Sequence, residues 1–332
     1  MWKIFKSAVI GRGHASQGEP CQDKVFSLEN GGIKAAALAD GAGSASLSQF
    51  GAETVVEEVC RLLTERFEEF FREENAARVG QEILSHLQGK LAERAEQLAC
   101  SLDDLASTLL FVAVSKEHYI LGHLGDGVIG CLKGEDLLVA SHPENGEFAN
   151  ETVFVTSSAA LQSLRLMKGR LGEIQGFVLM SDGTEAGLYD KRKKELAPVL
   201  KKVMGLMSVL PVEEMQRSLQ ESMEDVIRQK TQDDCSLILC VSARKGFPGY
   251  RQHTLREKLR LFGLRRLSAS ALKRVKVYDR LLHFLQAERS LQETAAFLHQ
   301  KPGHARRKLI FLQKLGYVEK TEHGYRTIQI VA

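Results

Sequence analysis

The sequence predicts two parts, a layered α+β domain over residues 1–243 and a small basic domain at the C-terminal end. Three observations support this division. Strand-like and helix-like blocks alternate up to residue 243. Residues 244–332 hold 20 Lys and Arg against 6 Asp and Glu, whereas residues 1–243 hold 25 against 36. The chain then ends in three helical patterns followed by two short strand patterns.

The composition is that of a globular protein. With 44% hydrophobic residues, 28 Gly and 6 Pro in 332 residues, the chain fits neither the disordered nor the fibrous class. No run approaches eighteen apolar residues, so no membrane span is expected. Met1–Lys6 shows no secretory signal. Six scattered cysteines without a CxxC pair favour reduced thiols and a cytoplasmic setting.

The first part contains blocks of both periodicities. Lys34–Ala39 is a short apolar run that predicts a buried strand ending at a turn. Apolar residues at helical spacing predict two long amphipathic helices, Ser46–Arg72 and Ala76–Ala99. Four β-rich runs then predict an antiparallel meander: Ser107–Ser115, Tyr119–Leu124, Val128–Leu132 and Leu137–Ala140.

Further blocks complete the layered domain. A strand is predicted at Glu173–Met180, helices at Lys191–Met207 and Val212–Arg228, and a closing strand at Cys235–Ser242. Strand blocks interleaved with pairs of helices indicate layered packing and not a strict βαβ repeat.

The basic part begins with a stretch rich in Arg and Lys. Residues 244–276 are predicted to be a linker, in which Leu255–Leu267 forms an amphipathic helix or belongs to a solvated spacer. The charge imbalance favours a polyanionic partner, and docking on the acidic part of the chain is the alternative.

Residues 277–332 carry clear local signals. Val277–Ala287 has helical periodicity, and Ser290 begins a capping box that opens a second short helix. Pro302 suits the first turn of a third helix, which Gly316 terminates before two strands. Three helices followed by a hairpin form the layout of a winged helix-turn-helix domain.

Aspartates stand where the predicted strands meet glycine turns. A single Asp-Gly pair is typical of an ordinary turn, so only the ordered set is specific. Carboxylates without His or Cys partners suit Mg²⁺ or Mn²⁺ and not Zn²⁺. The set consists of Asp23, Asp40-Gly41, Asp126-Gly127, Asp182-Gly183 and Asp233-Asp234.

These aspartates lie in motifs that resemble, in order, those of the metal-dependent protein phosphatases of the 2C type. The resemblance covers residues 1–243. The Pro-Cys-Gln-Asp start and the segment Glu147–Thr152 narrow it to one bacterial branch. The motifs are Pro20-Cys21-Gln22-Asp23, Ala39–Ser44, Gly122–Gly127, Met180–Gly183 and Asp233–Ser236.

The resemblance implies a four-layer α-β-β-α sandwich that hydrolyses phosphoserine and phosphothreonine in proteins with a metal-activated water. Two Mn²⁺ or Mg²⁺ ions, and a third in some members, would lie at one end of the sandwich. Asp40 would bridge two ions, and the carbonyl of Gly41 would bind one of them. The implied ligands are Asp23, Asp40, Gly41, Asp126, Asp182 and Asp233, of which Asp40, Asp182 and Asp233 are the expected catalytic residues.

The sequence departs from the family pattern at the phosphate-binding position. Gly18 stands where the family often has an arginine that grips the phosphate, and either Arg12 or His14 could replace it. Ala42 stands where many members have a histidine, and Gln22 where some have a glutamate ligand.

The last motif leaves an alternative open. Alignment on Ser236 makes Asp233 the ligand and Asp234 its neighbour, and a shift of one residue would exchange them.

The resemblance implies a metal-dependent protein-serine/threonine phosphatase acting on a phosphorylated protein, which a companion kinase would produce. A degenerate phosphatase domain that senses a phosphorylated ligand and controls the tail is the alternative. Hydrolysis of small phosphate esters is a third reading. In the tail, the third helix exposes Arg306, Arg307 and Lys308, which predicts contact with nucleic acid or docking on a protein.

Overall fold

The chain forms two compact units in the computed structural model. The structure describes residues 1–143, 152–243, 246–251, 253–264 and 266–328. The large unit contains residues 2–204 and 212–242, and the small unit contains Met1, residues 205–211 and residues 243–332.

Two five-stranded antiparallel sheets form the centre of the large unit. Their strands are β1 (Trp2–Val9), β2 (Lys24–Asn30), β3 (Ile33–Ala39), β4 (Leu109–Val114), β5 (His118–Leu124), β6 (Val128–Lys133), β7 (Asp136–Ser141), β8 (Arg165–Arg170), β9 (Ile174–Met180) and β12 (Cys235–Ser242), with a separate hairpin of β10 (Tyr189–Asp190) and β11 (Glu195–Leu196). One sheet has the order β1-β12-β9-β6-β7, and the other has the order β2-β3-β4-β5-β8.

Helices cover the outer faces of both sheets. They are α1 (Arg12–Gln17), α2 (Ser48–Arg72), α3 (Ala76–Leu98), α4 (Ala160–Ser163), α5 (Asp182–Leu188), α6 (Val199–Val209) and α7 (Val212–Ser222), with short turns of other helical types at Leu102–Leu105, Met223–Ile227 and Arg228–Lys230. The long helix α2 packs on β2, β3 and β4, and α7 packs on β1. Met204 of α6 contacts β9 at Gly176. The predicted mixed α+β sandwich is therefore present.

Side-chain alternation along β3 and β4 divides their side chains between two cores. Leu38 and Val112 face one way and pack with Phe177 and Ile238 of the opposite sheet. Their neighbours Ala37 and Phe111 face the other way, towards α2 and α3. Because successive residues of a strand point to opposite faces, a strand buried on both faces is apolar throughout, as β4 is.

The predicted meander is wrong as a single sheet. The four runs form strands, but β4 and β5 pair in one sheet whereas β6 and β7 pair in the other. The turn Gly125-Asp126-Gly127 carries the chain between the sheets. Gly125 has φ +112°, a backbone conformation that glycine adopts without strain.

The helix predicted at Lys191–Met207 is partly wrong, because α6 begins only at Val199. The preceding residues form the β10–β11 hairpin. The Asp190 side chain accepts hydrogen bonds from the backbone N–H groups of Arg192 and Lys193 at 3.0 and 3.1 Å. This turn competes with helix formation at the start of the segment.

The small unit contains five helices and a hairpin among its described residues. They are α8 (Gly246–Arg251), α9 (Leu255–Leu261), α10 (Ala269–Phe284), α11 (Leu291–Phe297), α12 (Pro302–Lys314), β13 (Val318–Lys320) and β14 (Tyr325–Thr327). The predicted capping box at Ser290 is confirmed. Pro302 occupies the first turn of α12, as predicted.

The predicted linker 244–276 is not a spacer where the structure describes it. Phe247 and Tyr250 of α8, Leu259 of α9 and Val275 of α10 belong to the same core as Leu309 of α12. Of the two alternatives at Leu255–Leu267, the structure has the helix, over Leu255–Leu261.

No helix in the described ranges is long and apolar enough to span a membrane.

Gly51 of α2 allows the helix to pack against the turn Leu102–Leu105. A Cβ atom at this position would clash with the carbonyl oxygen of Leu105, whereas a Cβ atom at Gly89 of α3 would meet open space. We expect Gly51→Ala to lower the free energy of unfolding by about 1–3 kcal/mol through overpacking. Urea unfolding monitored by circular dichroism measures the change.

Gly89→Ala is the matched control, since it makes the same replacement in a neighbouring helix. It should raise the stability by up to about 1 kcal/mol. Equal effects of the two substitutions would contradict the proposed close contact.

Candidate functional site

The strand ends that carry the aspartates lie at one end of the two sheets. In one sheet, Lys24 pairs with Ala39, which places Asp23 beside Asp40. In the other sheet, Met180 pairs with both Val128 and Leu237. The start of β6, the end of β9 and the start of β12 therefore lie together at one end of this sheet. All five motifs of the sequence contribute to this region.

Glycines let these strand ends approach closely. A Cβ atom on Gly127 would lie 2.6 Å from the carbonyl oxygen of Met180, and one on Gly183 would clash with the backbone of Asp234. A Cβ atom on Gly41 would lie 2.8 Å from Ser48 Oγ. The glycine in each Asp-Gly pair is thus required for packing as well as for a turn.

Asp23, Asp40 and Asp182 are buried or half-buried beside one another. Burial raises the pKa of Asp40 well above its usual value, and the negative charges of Asp23 and Asp182 raise it further. Burial also raises the pKa of Asp23 to about 7, although the nearby hydroxyl groups of Ser181 and Ser236 oppose this shift. The three carboxylates therefore repel one another in a region with little water.

Asp126 and Asp233 add their charges to this group. Burial raises the pKa of Asp182, and the charges of Asp126 and Asp233 raise it further. Asp233 is exposed. Asp126 accepts a hydrogen bond of 2.7 Å from the hydroxyl group of Thr152, which is the last residue of the branch-specific segment. The other residues of that segment, 147–151, lie outside the described ranges.

The neighbouring Asp234 has a different environment from Asp233. Its side chain is 1% exposed and accepts hydrogen bonds of 2.6 Å from the backbone N–H groups of Gly11 and Gln22. His14 Nδ1 lies 3.0 Å from Asp234 Oδ1. Because protein donors already occupy its oxygens, Asp234 links the β1–α1 segment to β12 and is poorly suited to bind an ion.

The chemistry of the carboxylate group fits hard divalent cations. Both oxygens of Asp23 and Oδ1 of Asp182 are buried without a hydrogen-bond partner among the described residues. Unpartnered buried carboxylates are costly unless a cation balances them. In the described part of the chain, no three His, Cys, Asp or Glu side chains form a preassembled metal cage. The fit therefore rests on the unpartnered oxygens and on the all-oxygen donor set.

The two candidates for phosphate binding both have partners in the protein. Arg12 Nε donates a hydrogen bond of 3.0 Å to the carbonyl oxygen of Thr231. His14 lies between Asp234 and Glu19, at 3.0 and 3.7 Å. Burial lowers the pKa of His14, but the hydrogen bond and the charge of Asp234 outweigh it, and the net shift is upward.

Sequence analysis missed two charged residues next to this group. Glu185 lies in the first turn of α5 and is fully buried, and Lys191 Nζ lies 2.8 Å from its Oε2 atom. The spacing of Glu185 from Asp182 places both on one side of a helix. This spacing would have indicated Glu185 only if α5 had been predicted as a helix, and seven residues are too few to show a helical pattern in the sequence.

Comparison with known proteins identifies the family. Residues 10–224 match the family model described as Protein phosphatase 2C. The chain belongs to the protein phosphatase 2C family. It is also 27% identical to serine/threonine-protein phosphatase 3 of Escherichia coli over 183 residues, which are 53% of this chain and 72% of that protein. The predicted enzyme class, a protein-serine/threonine phosphatase, is confirmed by these matches.

Solved structures show the same fold. A bacterial serine phosphatase superposes with a TM-score of 0.51 at 16% identity, covering 73% of this chain and 98% of that chain. The serine/threonine phosphatase Stp1 from Staphylococcus aureus gives 0.51 at 15% identity, covering 73% and 95%. A serine/threonine phosphatase of S. agalactiae gives 0.51 at 16% identity, covering 73% and 100%.

His123 of this phosphatase is a structural histidine. Its Nδ1 atom lies 2.8 Å from Ser141 Oγ, and its Nε2 atom lies 3.0 Å from the carbonyl oxygen of Gly125. Burial lowers the pKa of His123 to about 3, and the nearby positive charge of Arg165 contributes. The ring therefore stays neutral in the folded protein and supports the turn that carries Asp126.

The free energy of unfolding should therefore depend on pH through His123. The pKa of a histidine is near 6.5 in the unfolded chain, and that of His123 is about 3 in the folded protein. Below pH 6.5 the unfolded chain therefore binds a proton that the folded protein does not bind. In that range His123 should lower the free energy of unfolding by about 1.4 kcal/mol per pH unit. Urea unfolding between pH 7.5 and 4 measures the loss.

His123→Gln removes the titration but keeps a hydrogen-bond donor. We expect a weaker pH dependence of its unfolding between pH 6.5 and 4. His323→Gln, at an exposed position, is the control and should retain the pH dependence of the original protein. An unchanged dependence in His123→Gln would contradict the neutral buried ring.

Proposed function

We propose that this chain is a metal-dependent serine/threonine protein phosphatase whose reaction takes place at the carboxylate group. The convergence of Asp23, Asp40, Asp126, Asp182 and Asp233 at one end of the two sheets carries this proposal. The raised pKa values of Asp23, Asp40 and Asp182 and the unpartnered oxygens of Asp23 and Asp182 support a requirement for bound cations. Mn²⁺ or Mg²⁺, as two or three ions, fits the donor set.

Each residue of the group has a proposed task. Asp40 would hold both of the first two ions, and the Gly41 carbonyl group would bind one of them. Asp182 and Asp233 would complete the first site, Asp23 would serve the second, and Asp126 would help to hold a third ion. The bound ions would supply Lewis-acid activation of water and neutralise phosphate charge. The engagement of Asp234 with two backbone N–H groups supports Asp233, and not Asp234, as the ligand.

The degenerate-sensor reading gains no support from the site. A domain that has lost catalysis is free to lose its acidic residues, whereas all five carboxylates are retained here.

We propose a phosphorylated protein as substrate, with a companion kinase as its source. All six cysteines are free, which fits the reducing cytoplasm. Turnover of small phosphate esters alone would favour the third reading.

Replacement of the bridging carboxylate tests the proposal. Asp40→Asn and Asp182→Asn should each reduce Mn²⁺-stimulated hydrolysis of a phosphopeptide by orders of magnitude, because metal-assisted activation of water contributes several kcal/mol to the barrier. Removal of the metal with a chelator should do the same to the unmodified protein. Initial rates with p-nitrophenyl phosphate and with a phosphothreonine peptide measure both effects.

Asp136→Asn is the matched control, since it makes the same replacement at an exposed position of β7. It should keep full activity. The thermal midpoints of Asp40→Asn and Asp182→Asn should not fall, because each replacement removes a repelling buried charge. Near-normal activity of Asp40→Asn would refute the assigned site.

We also propose that the small unit is a winged-helix module. Helices α10, α11 and α12 followed by the β13–β14 hairpin have the required order. Helix α12 buries Ala305, Leu309 and Leu312 and exposes Arg306 and Arg307.

The outer face of α12 fits a polyanion. Arg306 and Arg307 are exposed, and neither forms an ion pair with a described residue. Lys308 is half-buried on the next position of the helix. Unpaired cations on one helix face are typical of surfaces that neutralise nucleic-acid phosphates. We take duplex DNA as the probe of this surface and docking on an acidic protein as the alternative.

Salt dependence tests the surface. A plot of the logarithm of the affinity for duplex DNA against the logarithm of the salt concentration should be a falling line. Its slope should be about −0.9 for each phosphate that the protein contacts. Arg306→Ala/Arg307→Ala should weaken binding and flatten the slope by about one unit per lost contact. Fluorescence anisotropy over a salt series measures both quantities.

Arg256→Ala/Arg260→Ala removes the same charge from exposed positions of α9 and serves as the control. It should bind DNA with nearly the original slope. Absence of binding to duplex DNA at physiological salt would assign the α12 face to protein docking instead.

A further inference from the structure

A buried glutamate lies beside the carboxylate group without a role in it. Glu185 has 0% exposure and lies three residues after Asp182 in α5. Residues three apart lie on the same side of a helix. A carboxylate removed from water needs a positive or hydrogen-bonding partner. Among the described residues, Lys191 supplies that partner.

Lys191 reaches Glu185 from the β10–β11 hairpin. Its Nζ atom lies 2.8 Å from Glu185 Oε2, and 71% of the lysine side chain remains exposed. An ammonium group has three N–H donors, so the ion pair leaves donors that face solvent. The lysine is therefore anchored at one contact and open to an incoming anion.

The hairpin holds Lys191 in a defined backbone position. Tyr189 pairs with Leu196 and Asp190 pairs with Glu195 across the two short strands. The Asp190 side chain accepts hydrogen bonds from the N–H groups of Arg192 and Lys193. The backbone on both sides of Lys191 is thus fixed. Ligand binding therefore needs little further ordering of this segment and costs little additional conformational entropy.

The positive charge of Lys191 lies within electrostatic reach of the proposed site. The ion pair with Glu185 raises the pKa of Lys191, and the charges of Asp182 and Asp126 add to the shift. Lys191 is therefore a permanent cation at neutral pH. Arg12 and His14 are less available, because one donates to the carbonyl oxygen of Thr231 and the other contacts Asp234.

We propose that Lys191 binds the phosphate group of the substrate beside the carboxylate group, and that Glu185 is the positioning residue that holds the ammonium group there. This proposal rests on the phosphatase function proposed above and names the cation that acts in place of the arginine absent at Gly18. A charge-assisted hydrogen bond from an ammonium group to a phosphate oxygen is short and strong. Lys191 would contribute to substrate binding and not to the activation of water.

Substitution of Lys191 tests the proposal with inorganic phosphate as the probe. In the full chain with Mg²⁺, Lys191→Ala should raise the inhibition constant of phosphate and the KM for p-nitrophenyl phosphate roughly tenfold or more, the equivalent of one lost charged hydrogen bond. The kcat should change much less. Lys191→Arg should restore most of the affinity. Calorimetric titration with phosphate gives the same comparison without turnover.

Lys193→Ala is the matched control, because it removes the same charge from the same hairpin. Lys193 is also 71% exposed, but its Nζ atom lies 4.0 Å from Asp190 and not against Glu185. It should retain the phosphate affinity of the original protein. An equal loss in Lys193→Ala would show a general charge effect and overturn the proposal, as would unchanged phosphate affinity in Lys191→Ala.

Glu185→Gln separates positioning from folding. It keeps the shape of the side chain but loses the anchoring charge, so KM should rise by less than in Lys191→Ala while the thermal midpoint is maintained. An unchanged KM would refute the positioning role. Failure of the proposed function is a distinct result, because the unmodified protein would then show no metal-dependent turnover, whereas the calorimetric comparison of Lys191→Ala with Lys193→Ala would still be measurable.

Discussion

The crowding of carboxylates at one end of the two sheets is the constraint on which the rest of the large unit depends. Asp23, Asp40 and Asp182 lie where burial and mutual repulsion raise their pKa values. Such a group opposes folding, so the surrounding structure must hold it in place. The two-sheet core does this, because Asp40 directly follows the buried end of β3 and Asp182 lies two residues after the buried end of β9. Cations that relieve the repulsion would act on stability and reactivity together.

Close backbone approach is the second requirement, and it explains why glycine follows Asp40, Asp126 and Asp182. Gly183 lies against the backbone of Asp234, and Gly127 lies near the carbonyl oxygen of Met180. Both contacts join strands that are distant in the sequence. A larger residue at either position would separate the strand ends and move the carboxylates apart. In each Asp-Gly pair the aspartate therefore provides the carboxylate, and the glycine allows the close backbone contact that positions it.

The sequence predicted the mixed α+β fold and the aspartates at strand ends, but it did not predict how the strands divide between the sheets. Asp-Gly pairs at strand ends are local features, so their ordered motifs could single out Asp40 and Asp182 as candidate site residues. The partition of β4 to β7 between two sheets depends on long-range pairing, which no local pattern contains. At Leu255–Leu267 the sequence left an amphipathic helix and a solvated spacer equally open, because a short helix rich in Arg and Lys has few apolar positions; the structure has the helix, with Leu259 buried. Glu185 and Lys191 escaped notice because their contact joins a short helix to the turn of a hairpin with two-residue strands.

Asp233 and Asp234 show why residue type alone does not define a site. The two side chains are chemically identical and adjacent, yet Asp234 accepts two backbone N–H groups and is 1% exposed, whereas Asp233 is exposed at the edge of the carboxylate group. Buried donors such as the N–H groups of Gly11 and Gln22 need an acceptor. Because Asp234 satisfies them, the backbone around β1 and β2 decides which of the two aspartates keeps its carboxylate oxygens free of protein donors.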